Sequence, residues 1–317
     1  MKLILHIGME KTGSTSIQRW LCDQREVLNG EGWYVPSRLG KLNHRVLSLL
    51  AFDSDRRDDA TRRRNIITND HLIELQKKIK ERLKSDVKDA LKKNCHTIFA
   101  SSELISSRLT KFSEKKRLIC ELIDSGVRQV AIVLVVRDAA DLAESRHSTA
   151  ILFEGRVDAH PPMPYTEEAD LFGNQIKLIK DWREVLDDQP IDTQIFVLDY
   201  EKSLNEEGSI CSYLAKKLHM SETLCKAGIN AFENKSLPVF TLQLLRISNY
   251  LTGKIQSKMT CSFINSAANL VGIVLKTIAL KIQPGFNRYR MPPNLRRMYR
   301  KAYQKPSVMN DNFSVWY

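Results

Sequence analysis

The stretch Leu3-Ile4-Leu5-His6-Ile7-Gly8-Met9-Glu10-Lys11-Thr12-Gly13-Ser14-Thr15-Ser16-Ile17-Gln18 constrains the fold of this chain more than any other. A short apolar run ends at Gly8, a loop of small and hydroxyl residues follows with Lys11 inside it, and an amphipathic pattern begins with Ile17, Trp20 and Leu21. That order predicts a strand, a tight loop and a helix. Gly13 permits a sharp backbone path, and the amides of the following residues would face a concavity. The helix amino end adds about half a positive charge to it. With Lys11 and the hydroxyls of Thr12, Ser14, Thr15 and Ser16, the loop has the chemistry of an anion cradle.

The rest of the first two-thirds repeats the strand-then-helix alternation. Short apolar runs at 33–35, 96–101, 129–136 and 194–198 read as further strands, and Val130 to Val136 reads as a central one buried on both faces. Helices are predicted over about 14–28, 43–50, 70–93, 113–125, 139–152 and 173–187, with an exposed loop over 53–65. Leu72, Leu75, Ile79, Leu83, Val87 and Leu91 form one buried stripe of the longest helix, and its charges read as a solvated face. The expected class is α/β, a central parallel sheet flanked by helices, with a helical C-terminal part containing helices over 239–251 and 264–282. The expected domains are 1–235 and a basic extension over 236–317. Sites in such sheets gather at the carboxyl ends of the strands, where Gly8, Glu103, Arg137 and Tyr200 all fall.

The formal charge of +12 is confined to the last quarter of the 317 residues. From Lys235 to Asn310 there are thirteen Lys and Arg and no Asp or Glu, which predicts anionic company: phosphates, acidic glycans, anionic lipid or nucleic acid. The six cysteines have neither a C-x-x-C pair nor metal spacing and read as free thiols of a reducing compartment. The apolar run after Lys2 is too short for a secretory signal, so the expected location is cytoplasmic, with peripheral contact at the inner membrane face through the basic part.

The position of the Lys separates two anions. In the nucleoside-triphosphate loop the Lys follows the second Gly; here Ser14 stands at that place and Lys11 precedes Gly13. Lys11-Thr12-Gly13-Ser14-Thr15-Ser16 after a strand ending His6-Ile7-Gly8 resembles the 5′-phosphosulfate loop of sulfotransferases that use 3′-phosphoadenosine 5′-phosphosulfate (PAPS), in particular bacterial, carbohydrate-sulfotransferase-like members. Arg137, followed eight residues later by Ser145, resembles that family's 3′-phosphate site, and Asn234-Lys235-Ser236-Leu237 resembles a nucleotide-contacting stretch of its bacterial members. The Arg-Lys-Gly loop of the small-molecule members is not visible.

The resemblance implies a P-loop-like sulfotransferase fold, no metal, and sulfuryl transfer to a hydroxyl or amine of a saccharide or glycolipid acceptor. Lys11 would stabilise the leaving bisphosphate, with Thr12, Gly13, Ser14, Thr15, Ser16, Arg137, Ser145, Asn234 and Ser236 binding PAPS. Glu103, at a strand end facing the crevice, is the expected base, with partial desolvation raising its pKa; His44 is the alternative. His6 reads as a packed core residue, and His147 as structural or as a nucleotide contact. Two other functions stay open at this point. One is an ATP-dependent small-molecule or sugar kinase. The other is a non-catalytic basic protein binding membrane or nucleic acid, nucleic acid being the less favoured partner.

Overall fold

The computed structural model describes residues 1–230, 239–258, 277 and 289–305. Five strands, β1 (Lys2–His6), β2 (Trp33–Tyr34), β3 (Thr97–Ser101), β4 (Gln129–Val136) and β5 (Asp192–Asp199), form one parallel sheet in the order β2-β3-β1-β4-β5. β1 is the middle strand: Lys2 lies opposite Thr97 on one side and Gln129 on the other.

The alternation of side chains along these strands builds a core on each face. Leu3, Leu5, Ile98, Ala100, Ile132, Leu134, Ile195 and Val197 join one buried cluster. Ile4, Phe99, Ala131, Val133, Val135, Phe196 and Leu198 join the other. The helices between β1 and β4 are α1 (Ser14–Asp23), α2 (Arg25–Gly30), α3 (Val46–Leu50), α4 (Asp59–Arg62), α5 (Asn69–Lys92), α6 (Leu104–Arg108) and α7 (Phe112–Asp124). After β4 come α8 (Ala139–Phe153), α9 (Glu167–Gly173) and α10 (Gln175–Asp187). After β5 come α11 (Tyr200–Glu207), α12 (Ile210–Lys217), α13 (Glu222–Ile229), α14 (Val239–Lys258) and α15 (Pro293–Ala302).

The chain forms two compact units, and their membership is not a single cut near residue 235. The first comprises Met1–Arg137, Asn174–Asn234 and Lys305–Tyr317, and the second Asp138–Gly173 and Lys235–Gln304. The first holds the sheet. In the second, α8 packs with α9, α14 and α15. Ala139, Ala140, Ala169, Met291, Leu295, Tyr299 and Tyr303 form one of its apolar clusters. Ile151, Leu152, Leu242 and Leu245 form another.

Three sequence expectations change. The helix predicted over 14–28 is broken at Gln24, which caps both α1 and α2 outside helical geometry. The 53–65 segment is not a bare loop: it contains α4, buries Thr61, and places Arg56 against the buried carboxylate of Glu114. The solvated face of α5 has one exception, because Asp86 is fully buried and accepts from the Tyr34 hydroxyl (2.9 Å) and Arg38 (3.1 Å), while Leu91 is 58 % exposed. The helix expected over 264–282 and Cys261 lie outside the described residues. Among the described residues the other five cysteines are free, and no helix is long and apolar enough to cross a membrane.

Candidate active site

The loop leaves the carboxyl end of β1 and enters α1 through two left-handed residues, Lys11 (φ 70°) and Gly13 (φ 85°). Gly suits such a position; for Lys it is uncommon and needs support from its surroundings. Two hydroxyls supply part of it: Thr12 Oγ1 and Ser14 Oγ donate to the Met9 carbonyl at 2.7 and 3.2 Å. This narrows the sequence expectation. The Thr12 and Ser14 hydroxyls close the loop from within, and Thr12 is fully buried. Thr15 is exposed. Helix α1 starts with no side-chain cap and no acidic residue in its first turn, so no carboxylate of its own opposes an anion there.

Beneath the loop, His6 is fully buried with Nδ1 2.8 Å from Ser101 Oγ, and burial pushes its pKa down to about 4 against the opposing charge of Glu103. It packs as the sequence suggests. It also explains Gly8, where a Cβ would lie 2.4 Å from His6 Nε2.

Glu103 follows β3 at the start of α6 and is brought to α1. One carboxylate oxygen accepts from Arg45 Nη2 at 2.9 Å and the other from Gln18 Nε2, leaving the side chain 13 % exposed. Ser106 on α6 donates to the Gly8 carbonyl at 2.7 Å and so ties Glu103's helix to the loop. Gln18 and Arg45 escape sequence reading. For Gln18 there was a signal: it is a polar residue one turn beyond Ser14, on the buried stripe of α1 that also carries Ile17 and Leu21.

His44 is not placed to act as a base. Its Nδ1 accepts from the Ser101 amide at 2.9 Å, so Nε2 carries the proton and donates to the Pro36 carbonyl, also at 2.9 Å. Burial pushes its pKa down to about 4, with those two bonds opposing, and both ring nitrogens are occupied by backbone. His44 is a neutral strut between the segment before α3 and the end of β3.

Arg137 ends β4. Its backbone is held from both sides by Gln175, whose Oε1 accepts from the Arg137 amide (2.9 Å) and whose Nε2 donates to its carbonyl (2.7 Å). Its guanidinium lies 4.8 Å from the centre of the Tyr200 ring, with Nε 3.6 Å from Glu201, and Nη1 donates to the Lys11 carbonyl at 2.8 Å. Tyr200 in turn packs on the loop, since a Cβ on Gly13 would meet its ring at 3.2 Å. Loop, Glu103, Arg137 and Tyr200 thus belong to one constellation at the carboxyl edge of the sheet.

No protein-family model matches the chain. No curated protein matches it either. Among solved structures it is similar to the sulfotransferase domain of a Synechococcus olefin synthase, at 12% identity over 90% of this chain and 96% of that one, with a TM-score of 0.36. It is also similar to the sulfotransferase domain from the curacin biosynthetic pathway, at 11% identity over 95% and 96% of the two chains, with a TM-score of 0.40. Superpositions this loose leave the reading of the site to its own residues.

Ser145 is half-buried on α8, in the second unit, and Asn234 and Ser236 lie outside the described residues. His147, also on α8, is buried beside a cavity of about 30 Å³ walled in part by Leu142, Pro161, Phe172 and Tyr299; burial pushes its pKa down to about 4. Among the described residues no group of three His, Cys, Asp or Glu is arranged to hold a metal.

Proposed function

We propose that this chain is a sulfotransferase that moves the sulfuryl group of PAPS to a hydroxyl of a saccharide or glycolipid acceptor. The observation that carries the reading is the loop after β1: Lys11 precedes Gly13 and opens on an α1 amino end that has neither a side-chain cap nor an acidic first turn. The donor set fits a phosphosulfate. Backbone amides at a helix start, one ammonium and the hydroxyls of Thr15 and Ser16 favour a compact polyanion. The saccharide acceptor rests on the sequence resemblance alone.

In the proposed reaction the acceptor oxygen attacks sulfur in line with the bridging oxygen. The new S–O bond forms as the bond to the 5′-phosphate breaks, and the electron pair leaves with 3′-phosphoadenosine 5′-phosphate (PAP). The acceptor proton passes to the Glu103 carboxylate, which Gln18 and Arg45 orient. Lys11 faces the charge that develops on the bridging oxygen, a contact made mainly in the transition state and worth about 3 kcal/mol, or two decades of rate.

Calorimetric titration of PAP without magnesium, with ATP as the comparison ligand, tests the donor. Tight PAP binding that weakens in Lys11→Ala, with ATP much poorer, is the expected result. Binding of ATP only, and only with magnesium, would sink the reading in favour of a kinase. Transfer from sulfur-radiolabelled PAPS into a panel of saccharides and glycolipids then tests the acceptor class.

A further inference from the structure

Arg137 is built into the loop as well as next to it. Lys11 stands at φ 70°, a region that L-residues with a side chain enter rarely and hold only where their surroundings over-determine it. The Thr12 and Ser14 hydroxyls secure the residues on either side by donating to the Met9 carbonyl. The carbonyl of Lys11 itself accepts from Arg137 Nη1 at 2.8 Å.

Arg137 is in turn braced. Gln175 makes two hydrogen bonds to its backbone, the Tyr200 ring lies under the guanidinium, and Glu201 stands 3.6 Å from Nε. The other oxygen of Glu201 meets Lys305 Nζ at 2.6 Å, which also pairs with Asp199 at the same distance. One N–H of the guanidinium is thereby committed to the backbone of the anion loop, whatever ligand its other donors meet.

We propose that Arg137 is a positioning residue for Lys11. By holding the Lys11 carbonyl it keeps that residue in its left-handed conformation, and with it the direction of the ammonium and of the loop amides. The consequence for catalysis rests on the sulfuryl-transfer reading above; the mechanical role does not. It differs from a 3′-phosphate contact in a measurable way, because a loop brace serves any ligand of the loop, whether or not that ligand carries a 3′-phosphate.

The first experiment is hydrogen exchange on the ligand-free full chain, followed by mass spectrometry of peptides covering the loop. Arg137→Ala is expected to speed exchange in the loop about tenfold or more without doing so in β4 or β5. Tyr200→Leu, which removes the shelf and leaves the guanidinium, is expected to give a smaller rise and keeps the test open if Arg137→Ala does not fold. Unchanged loop exchange in both variants overturns the proposal.

The second experiment compares PAP with adenosine 5′-phosphate. Arg137→Ala should weaken both by a similar factor; a loss confined to PAP overturns the positioning role in favour of direct phosphate binding. In turnover, Arg137→Ala should lower kcat in the wild-type background and cost less than about threefold more in Lys11→Ala, because the two act as a unit. If wild type binds neither nucleotide, the proposed function falls while the exchange result still decides the brace.

Discussion

Lys11 and Glu103 divide the proposed chemistry, and each can be tested by a substitution that keeps its shape. Glu103→Gln keeps an acceptor oxygen for Arg45, turns an amide NH2 toward Gln18, whose own amide can flip to accept it, and removes the place for the acceptor's proton. It should lower kcat by roughly 10²-fold to 10⁴-fold while PAP affinity stays within about threefold; an unchanged kcat would return the base to some other group. Lys11→Met should instead cost about two decades in kcat with a smaller loss of PAP affinity. The buried histidines make a different prediction. His6 and His44 have folded pKa values near 4 against 6.5 when free, so the unfolded chain binds more protons between those values. Their contribution to stability is complete above pH 6.5 and is lost as pH falls toward 4. Each contributes on the order of 2 kcal/mol of the loss by pH 5. Urea unfolding at a series of pH values should show the fall, and His44→Gln should fall less steeply than wild type; equal slopes would contradict it. At this scale the sequence showed which residues are polar at a strand end but not whom they bond. His44 looks like a base by position, and only the backbone of Ser101 and Pro36 on its two nitrogens makes it a strut.

The elements that were legible are those long enough for a period to emerge. All five strands fall where their apolar runs predict, and α5 runs Asn69–Lys92 against an expected 70–93. Its stripe was read less well: Asp86 and Ala90 are buried where Leu91 was expected. Helices of seven or eight residues, such as α9, α11, α12 and α13, carry about two turns each and give no readable period. The loop was legible because Gly marks it at both ends, and both glycines are required. Gly13→Ala must place a side chain at φ 85° and 2.9 Å from Ile210. It should destabilise the fold by about 1–3 kcal/mol and weaken PAP binding, seen in denaturant melts and calorimetry. Gly8→Ala, whose Cβ would press on the enclosed ring of His6, should cost at least as much.

Across the whole chain, the basic excess was plain in composition and its use was not. Arg290, Arg296 and Arg300 are paired within the second unit with Asp138, Asp141 and Glu144 of the α8 end, and Lys305 is paired within the first. Counting charges cannot tell an internal ion pair from a surface awaiting a partner. Glu144 is the hub: its carboxylate accepts from Arg290, Arg296 and the Met291 amide at 2.8–3.0 Å. Glu144→Ala should therefore loosen α15 from α8 at a cost of about 2–4 kcal/mol, read as faster limited proteolysis after Tyr289 and a lower thermal midpoint. An unchanged cleavage pattern would show that the apolar contacts of Leu295 and Tyr299 suffice. The central place of β1 has a consequence in time. Its hydrogen-bonding neighbours begin at Thr97 and Gln129, so the strand that launches the anion loop is made first and waits for partners roughly a hundred residues away. At about 5–20 residues per second, a ribosome leaves that apolar segment unpaired for several seconds or more. The nascent chain is thus most exposed to misassociation at the very strand on which its candidate active site depends.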